Sequence, residues 1–96
     1  MNKISYDERK EVYMHAIEKW GADTQITVAV EEMAELTKEI CKAKRGMTDF
    51  RHIAEEIADV TIMMEQLRLM FVVNEEVCNK MDAKIRRLRL RIAEKK

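Results

Sequence analysis

Two short acidic strings define the chemistry that this sequence can support. Glu31-Glu32-Met33-Ala34-Glu35 is echoed further on by Glu55-Glu56-Ile57-Ala58-Asp59. With their flanks, Val30 to Leu36 and Ala54 to Val60, both read apolar, acid, acid, apolar, Ala, acid, apolar. On an α-helix each residue advances by about 100°. With Met33 at the centre of an apolar stripe, Ile26, Ala29, Val30, Leu36 and Ile40 fall within about 60° of it, Glu32 near −100° and Glu35 near −160°. With Ile57 as the centre of the second string, Glu56 and Asp59 take the same two angles. Each helix therefore carries an acid pair at i and i+3, one turn apart, on the border of its buried face.

If the two borders meet, four carboxylates share one place. Carboxylates held that close repel and raise one another's pKa values, and a bound cation removes the conflict. An all-oxygen set without Cys or ligating His favours a hard cation, Mg²⁺ or Mn²⁺. Mg²⁺ keeps several waters and shares its shell with substrate phosphates, so the set suits phosphate chemistry. One such string alone is commonplace on a solvated helix; two copies at matching angles are more specific. A di-iron carboxylate bundle would need Glu-x-x-His on two helices. Here the third position is Glu35 or Asp59, with His52, four residues before Glu56 on the same side, read as a polar rim residue or a partner that supports the acids, and His15 as an interface histidine.

The rest of the sequence is built to place those strings on helices. The chain has 96 residues, two glycines and no proline. It reads as one domain spanning residues 1–96, rich in good helix formers. A domain this small buries only about 60–65% of its unfolded surface, so its core is thin and a partner subunit is expected to add burial. Ser5, with Glu8 three residues later, signals a capping box at the start of a first helix that ends at Gly21. Val12, His15, Ala16 and Lys19 lie near one face of it. Asp23 or Thr24 is the expected cap of a second helix, which Gly46 closes. Thr48 or Asp49 caps a third, with apolar Phe50, Ile53, Ile57, Val60, Met64, Leu67 and Phe71. The pattern slips near Val73–Glu75, which marks a short turn. A fourth helix follows, with Val77, Met81, Ile85, Leu88 and Ile92 as its stripe. Four helices joined by short loops predict an all-α, antiparallel four-helix bundle.

The charges balance overall but not locally. Residues 1–66 carry 9 Lys/Arg against 14 Asp/Glu, net −5, and residues 67–96 carry 9 against 4, net +5. An acidic body with a basic last helix suits an anion held jointly by metal and cationic side chains. On charge alone it better suits a solvated helix beside an acidic neighbour. Cys41 and Cys78 match no zinc or redox spacing and read as reduced, buried small hydrophobes. No apolar h-region follows Met1-Asn2-Lys3 and no membrane-length apolar run is present, so a cytoplasmic protein without membrane association is expected.

The two acidic strings resemble the EExxE…ExxD signature of the MazG-like, all-α nucleoside triphosphate pyrophosphohydrolases. The resemblance covers roughly Trp20 to Arg91 and is looser in the flanks. It implies a four-helix fold assembled as a homodimer or homotetramer, and Mg²⁺-dependent cleavage of a (d)NTP to the monophosphate and pyrophosphate. Glu32, Glu35, Glu56 and Asp59 would be the metal ligands. Glu35 or Glu31 would take the proton from the attacking water. On the fourth helix Lys84 and Arg87, extended by Arg91, resemble residues that contact phosphates. Gln25 resembles a position that helps hold the base, on which Trp20 can stack; an anchoring role for Trp20 in the core or an interface is the alternative. A rival reading is a non-catalytic helical module that binds RNA or protein through Arg86, Arg87, Arg89 and Arg91. It leaves the paired acids unexplained, and zero net charge gives no reason to expect specific nucleic-acid binding.

Overall fold

The structure, a computed structural model, describes residues 2–47 and 49–94. These residues form four helices and no strand: α1 (Tyr6–Trp20), α2 (Ala22–Lys44), α3 (Phe50–Met70) and α4 (Asn74–Glu94). The all-α class is as expected.

Local chemistry explains the boundaries. The Ser5 hydroxyl accepts from the Glu8 amide at 3.1 Å, and the Glu8 carboxylate accepts from the Ser5 amide at 3.2 Å. That reciprocal pair opens α1 as predicted. Asp49 opens α3 by accepting from the Arg51 amide at 2.8 Å; Thr48, the other cap proposed for α3, lies outside the described residues. The expected cap of α2 is not found. α2 begins at Ala22, directly after Gly21, so Asp23 sits in its first turn. There its charge faces the positive end of the helix dipole.

α2 and α3 end in the same motif with different residues. After α2, the amides of Met47 and Gly46 donate to the carbonyls of Lys42 and Ala43, both at 2.9 Å, with Gly46 at φ 70°. After α3, the amides of Val73 and Val72 donate to Arg68 and Leu69 at 3.0 and 3.2 Å, with Val72 at φ 54°. Both are Schellman caps. The second puts a β-branched residue where glycine is favoured, and for that reason no glycine marks the turn in the sequence. The turn falls at Phe71–Val73, slightly earlier than the pattern slip suggested.

α2 and α3 form the main packing seam. On α2 the buried or half-buried track is Gln25, Ala29, Glu32, Leu36, Glu39 and Ala43; on α3 it is Ile53, Glu56, Val60, Met63, Leu67 and Met70. Both tracks advance in alternating steps of three and four, the spacing of a helix–helix seam. They correct the expected stripes. The seam is rotated by roughly 80–90° from Met33 and Ile57 toward the acids. Val30, Met33, Ile40 and Ile57, expected inside, are exposed. The helices turned because polar residues on that flank find partners across the seam, as described below.

α1 shows a related correction. Its buried residue is Tyr13, flanked by half-buried Arg9, Ala16 and Ile17, while Val12, His15 and Lys19 are exposed. The cause lies on α3. Arg9 Nε and Nη2 donate to the two oxygens of Glu65 at 3.0 and 3.2 Å, and the Tyr13 hydroxyl donates to the same carboxylate. Arg9, Tyr13 and Glu65 pin α1 to α3.

α4 is the least covered element. It meets α3 at its base, where Val77 is half-buried and Arg68 Nη2 donates to Cys78 Sγ at 3.2 Å. Its expected stripe of Met81, Ile85, Leu88 and Ile92 is exposed. Both cysteines are free, and both are exposed rather than buried. The chain has a radius of gyration of 16.4 Å, against about 12.5 Å for a compact domain of this length. Its apolar core among the described residues is Tyr13, Ala29 and Met63, with Gln25, Glu39 and Gln66 buried alongside. No helix is long and apolar enough to cross a membrane among the described residues.

Candidate metal centre

The rotation of α2 and α3 brings three of the four paired acids together. Glu32, Glu56 and Asp59 each offer a carboxylate oxygen, and these atoms lie within 4.8 Å of one another. Glu32 and Glu56 are half-buried and Asp59 is exposed, so the group opens from the seam toward solvent. The i, i+3 spacing of Glu56 and Asp59 stacks them on one side of α3, as the wheel predicts. Glu32 reaches them from the middle of the α2 track.

The electrostatics fit a cation. Burial, and then the charges of Asp59 and Glu56, a hydrogen-bond contact with Asp59 and the charge on Glu35, raise the Glu32 carboxyl above the ordinary glutamate range. The Glu56 Oε2 atom is buried without a hydrogen-bond partner. A buried acceptor of this kind calls for a donor or a positive ion. With oxygen donors alone, the group matches the ligand chemistry of Mg²⁺ or Mn²⁺.

Glu35 stands at the rim. It contributes to the potential at Glu32, yet its oxygens lie outside the three-acid group. Glu31 is exposed on the outer side of α2, roughly 120° from the centre of the seam. Lys84, Arg87 and Arg91 are exposed on α4. Trp20 is 56% exposed at the end of α1, with the Lys19 ammonium 5.4 Å from its ring centroid. Trp20, Thr24, Gln25 and Val28 line a shallow groove. Gln25 is nevertheless buried, and its Nε2 donates to Gln66 Oε1 at 2.8 Å. Gln66 Nε2 in turn faces the Met63 sulfur at 3.7 Å.

Polar contacts that the apolar pattern does not signal flank the acids on either side. Gln25 meets Gln66 toward one end of the seam. Toward the other, the buried Glu39 carboxylate pairs with His52 Nδ1 and with Lys42 Nζ, each at 3.3 Å. Gln25, Glu32 and Glu39 are spaced by seven residues on α2, and so are His52, Asp59 and Gln66 on α3. That heptad recurrence was visible in the sequence. The apolar residues mark a different face, and the inward face follows the polar recurrence instead.

No protein-family model, no curated protein and no solved structure matches the chain.

Proposed function

We propose that this chain is a Mg²⁺-dependent nucleoside triphosphate pyrophosphohydrolase that converts a (d)NTP to the monophosphate and pyrophosphate. The observation that carries this reading is the convergence of Glu32, Glu56 and Asp59, beside which Glu56 Oε2 is buried without a hydrogen-bond partner. The resemblance of the two acidic strings to the MazG-like signature supplies the reaction type. Mg²⁺, or Mn²⁺ in its place, supplies charge compensation for the phosphates and a polarised water.

The residues then take distinct roles. Glu32, Glu56 and Asp59 hold the ion, and Glu35 completes the set from the rim. Glu35 is the better candidate than Glu31 to accept the proton of the attacking water, because it shares the electrostatic environment of Glu32 while Glu31 points away from the seam. Lys84 and Arg87, with Arg91, stabilise the charge of the departing pyrophosphate. Trp20 offers an exposed face to a base beside Gln25.

The active form in this reading is a homodimer or homotetramer in which the antiparallel bundle is completed between copies. The exposed stripe of α4 and the exposed Val30, Met33, Ile40 and Ile57 offer apolar faces for that contact. The charges are complementary, net −5 before residue 67 and +5 after it. A contact of α4 with the acidic helices of a second copy brings the basic side chains toward the ion.

The test is a screen of canonical and modified (d)NTPs with Mg²⁺, reading pyrophosphate. Release dependent on Mg²⁺ and lost in Asp59→Asn is the expected result. If no nucleotide is cleaved while RNA binds with steep salt dependence, the basic face of α4 has the primary role instead.

A further inference from the structure

The seam between α2 and α3 carries polar contacts at three levels. Gln25 bonds Gln66, Glu32 meets Asp59, and Glu39 pairs with His52. Successive levels are seven residues apart on both helices. Each step toward the end of α2 is matched by an equal step toward the start of α3.

This regularity matters because the apolar part of the seam discriminates poorly between alignments. Its tracks repeat every seven residues, so a slide of one heptad, about 10.5 Å at 1.5 Å per residue, again brings apolar residues together. The polar levels do not survive that slide. Moved one way, Gln25 faces Asp59 and Glu32 faces His52, and the amide of Gln66 passes beyond α2. Moved the other way, Glu32 faces Gln66, Glu39 faces Asp59 as acid against acid, and Gln25 passes beyond the end of α3. Either slide breaks the buried Gln25–Gln66 bond and takes one of its partners out of the seam, which is unfavourable. Single polar contacts in otherwise apolar seams are known to fix register at some cost in stability.

We propose that the Gln25–Gln66 and Glu39–His52 pairs are positioning contacts that lock α2 and α3 in the one register that assembles the Glu32–Asp59 centre. The inference rests on the reading of that centre as a cation site, and its register part can be tested without the cation. Neither pair belongs to the group of Glu32, Glu56 and Asp59. Each lies two helical turns from it, on opposite sides.

The experiment compares the full chain with Gln25→Leu/Gln66→Leu. Replacing both members of a buried hydrogen bond by apolar residues of similar shape can leave stability nearly unchanged. Two readouts are taken. Spin labels at Thr27→Cys and Thr61→Cys, both exposed, in a Cys41→Ser/Cys78→Ser background, report the helix alignment with no metal present. Mn²⁺ titration then reports the centre.

The parent should show one narrow distance. The double-leucine variant should show a second population displaced along the seam, and its apparent Mn²⁺ affinity should fall in proportion to the fraction that leaves the native register. A merely structural pair would let Mn²⁺ affinity follow the melting temperature instead. If double-leucine does not fold, His52→Leu, at an exposed side chain, should show the same two changes more weakly. One unchanged distance in both variants overturns the register proposal. A displaced distance in a chain whose parent binds no Mn²⁺ upholds the register lock and overturns the cation reading.

Discussion

Glu32 on α2 and Asp59 on α3 face each other across the helix seam with carboxylate oxygens, joined by Glu56, within 4.8 Å. Burial and the neighbouring negative charges raise the Glu32 pKa in the folded chain. The sign of the consequence follows by linkage. An acid whose folded pKa is raised binds protons more readily when folded, so it favours folding below its unfolded pKa and opposes it as pH rises through the raised value. At neutral pH, without a divalent ion, Glu32→Gln should therefore raise the melting temperature. The same variant should abolish the increase that Mg²⁺ gives the parent protein by binding the native state. Calorimetry with and without Mg²⁺ checks both, and a parent melting curve indifferent to Mg²⁺ counts against the centre. Mg²⁺ affinity should also weaken as pH falls through the raised pKa, since protons compete for the same oxygen.

Glu35 and Asp59 should separate in kinetics. Asp59→Asn removes a carboxylate of the central group, so metal affinity and turnover should fall together. Glu35→Gln changes a rim residue. Its loss should lie mainly in kcat, by about 10²–10⁴-fold if it acts as the base, with Mn²⁺ affinity less affected. Helical circular dichroism should be retained by both. Wild-type turnover in both would refute the site assignment.

Tyr13 tests the joint between α1 and α3. Its hydroxyl is pushed up to about 12, first by burial and then by the Glu65 carboxylate that it bonds. Tyr13→Phe deletes that bond and should cost about 1 kcal/mol, or about 4–8 °C in Tm for a domain of this size. Glu65 is held below the ordinary range chiefly by its hydrogen bond with Arg9, helped by Tyr13 and against the effect of burial. Its contribution is thus present above the ordinary glutamate pKa and is lost as pH falls through the lowered value. Glu65→Gln should flatten the acid limb of the stability profile, which thermal melts across that range would measure.

Val72 and Gly46 make a matched pair. Both occupy the left-handed position of a Schellman cap, and Val72 is 83% exposed, so its side chain packs little. A β-branched residue there stores about 1–3 kcal/mol, while glycine gives back about 0.5–1 kcal/mol through the unfolded chain. Val72→Gly should therefore be stabilising, and Gly46→Val destabilising. A Cβ at Gly46 would meet nothing within 4 Å, so the backbone alone would account for the loss. Chemical denaturation of the two variants gives the comparison.

Ile85 tests assembly. Ile85→Glu places a charge in the exposed stripe of α4 and should shift the protein toward monomer in sedimentation, with a lower Tm and no loss of α4 within the monomer. A parent chain that is monomeric at every concentration counts against completion of the bundle by a second copy.

The sequence made the helices legible because their ends carry local signals. Ser5 with Glu8, Asp49, Gly21 and Gly46 act within a turn of themselves. The pairing of Glu32 with Glu56 and Asp59 was legible too, since the two strings repeat. The inward faces were not. Met33 and Ile57 looked central because apolar residues surround them, yet the seam follows Gln25, Glu32 and Glu39. Their burial depends on Gln66, Asp59 and His52, residues distant in sequence. The same reason hid Tyr13, whose place is set by Glu65.

The seam has a mechanical consequence. α2 and α3 are held at one end by an amide pair, at the other by an acid and a histidine, and pushed apart by like charge between them. Such a pair of helices behaves as a clamp fixed at both ends and sprung at its middle. A positive charge between the acids would relieve that repulsion, so the stability of the helix pair is expected to register what sits there.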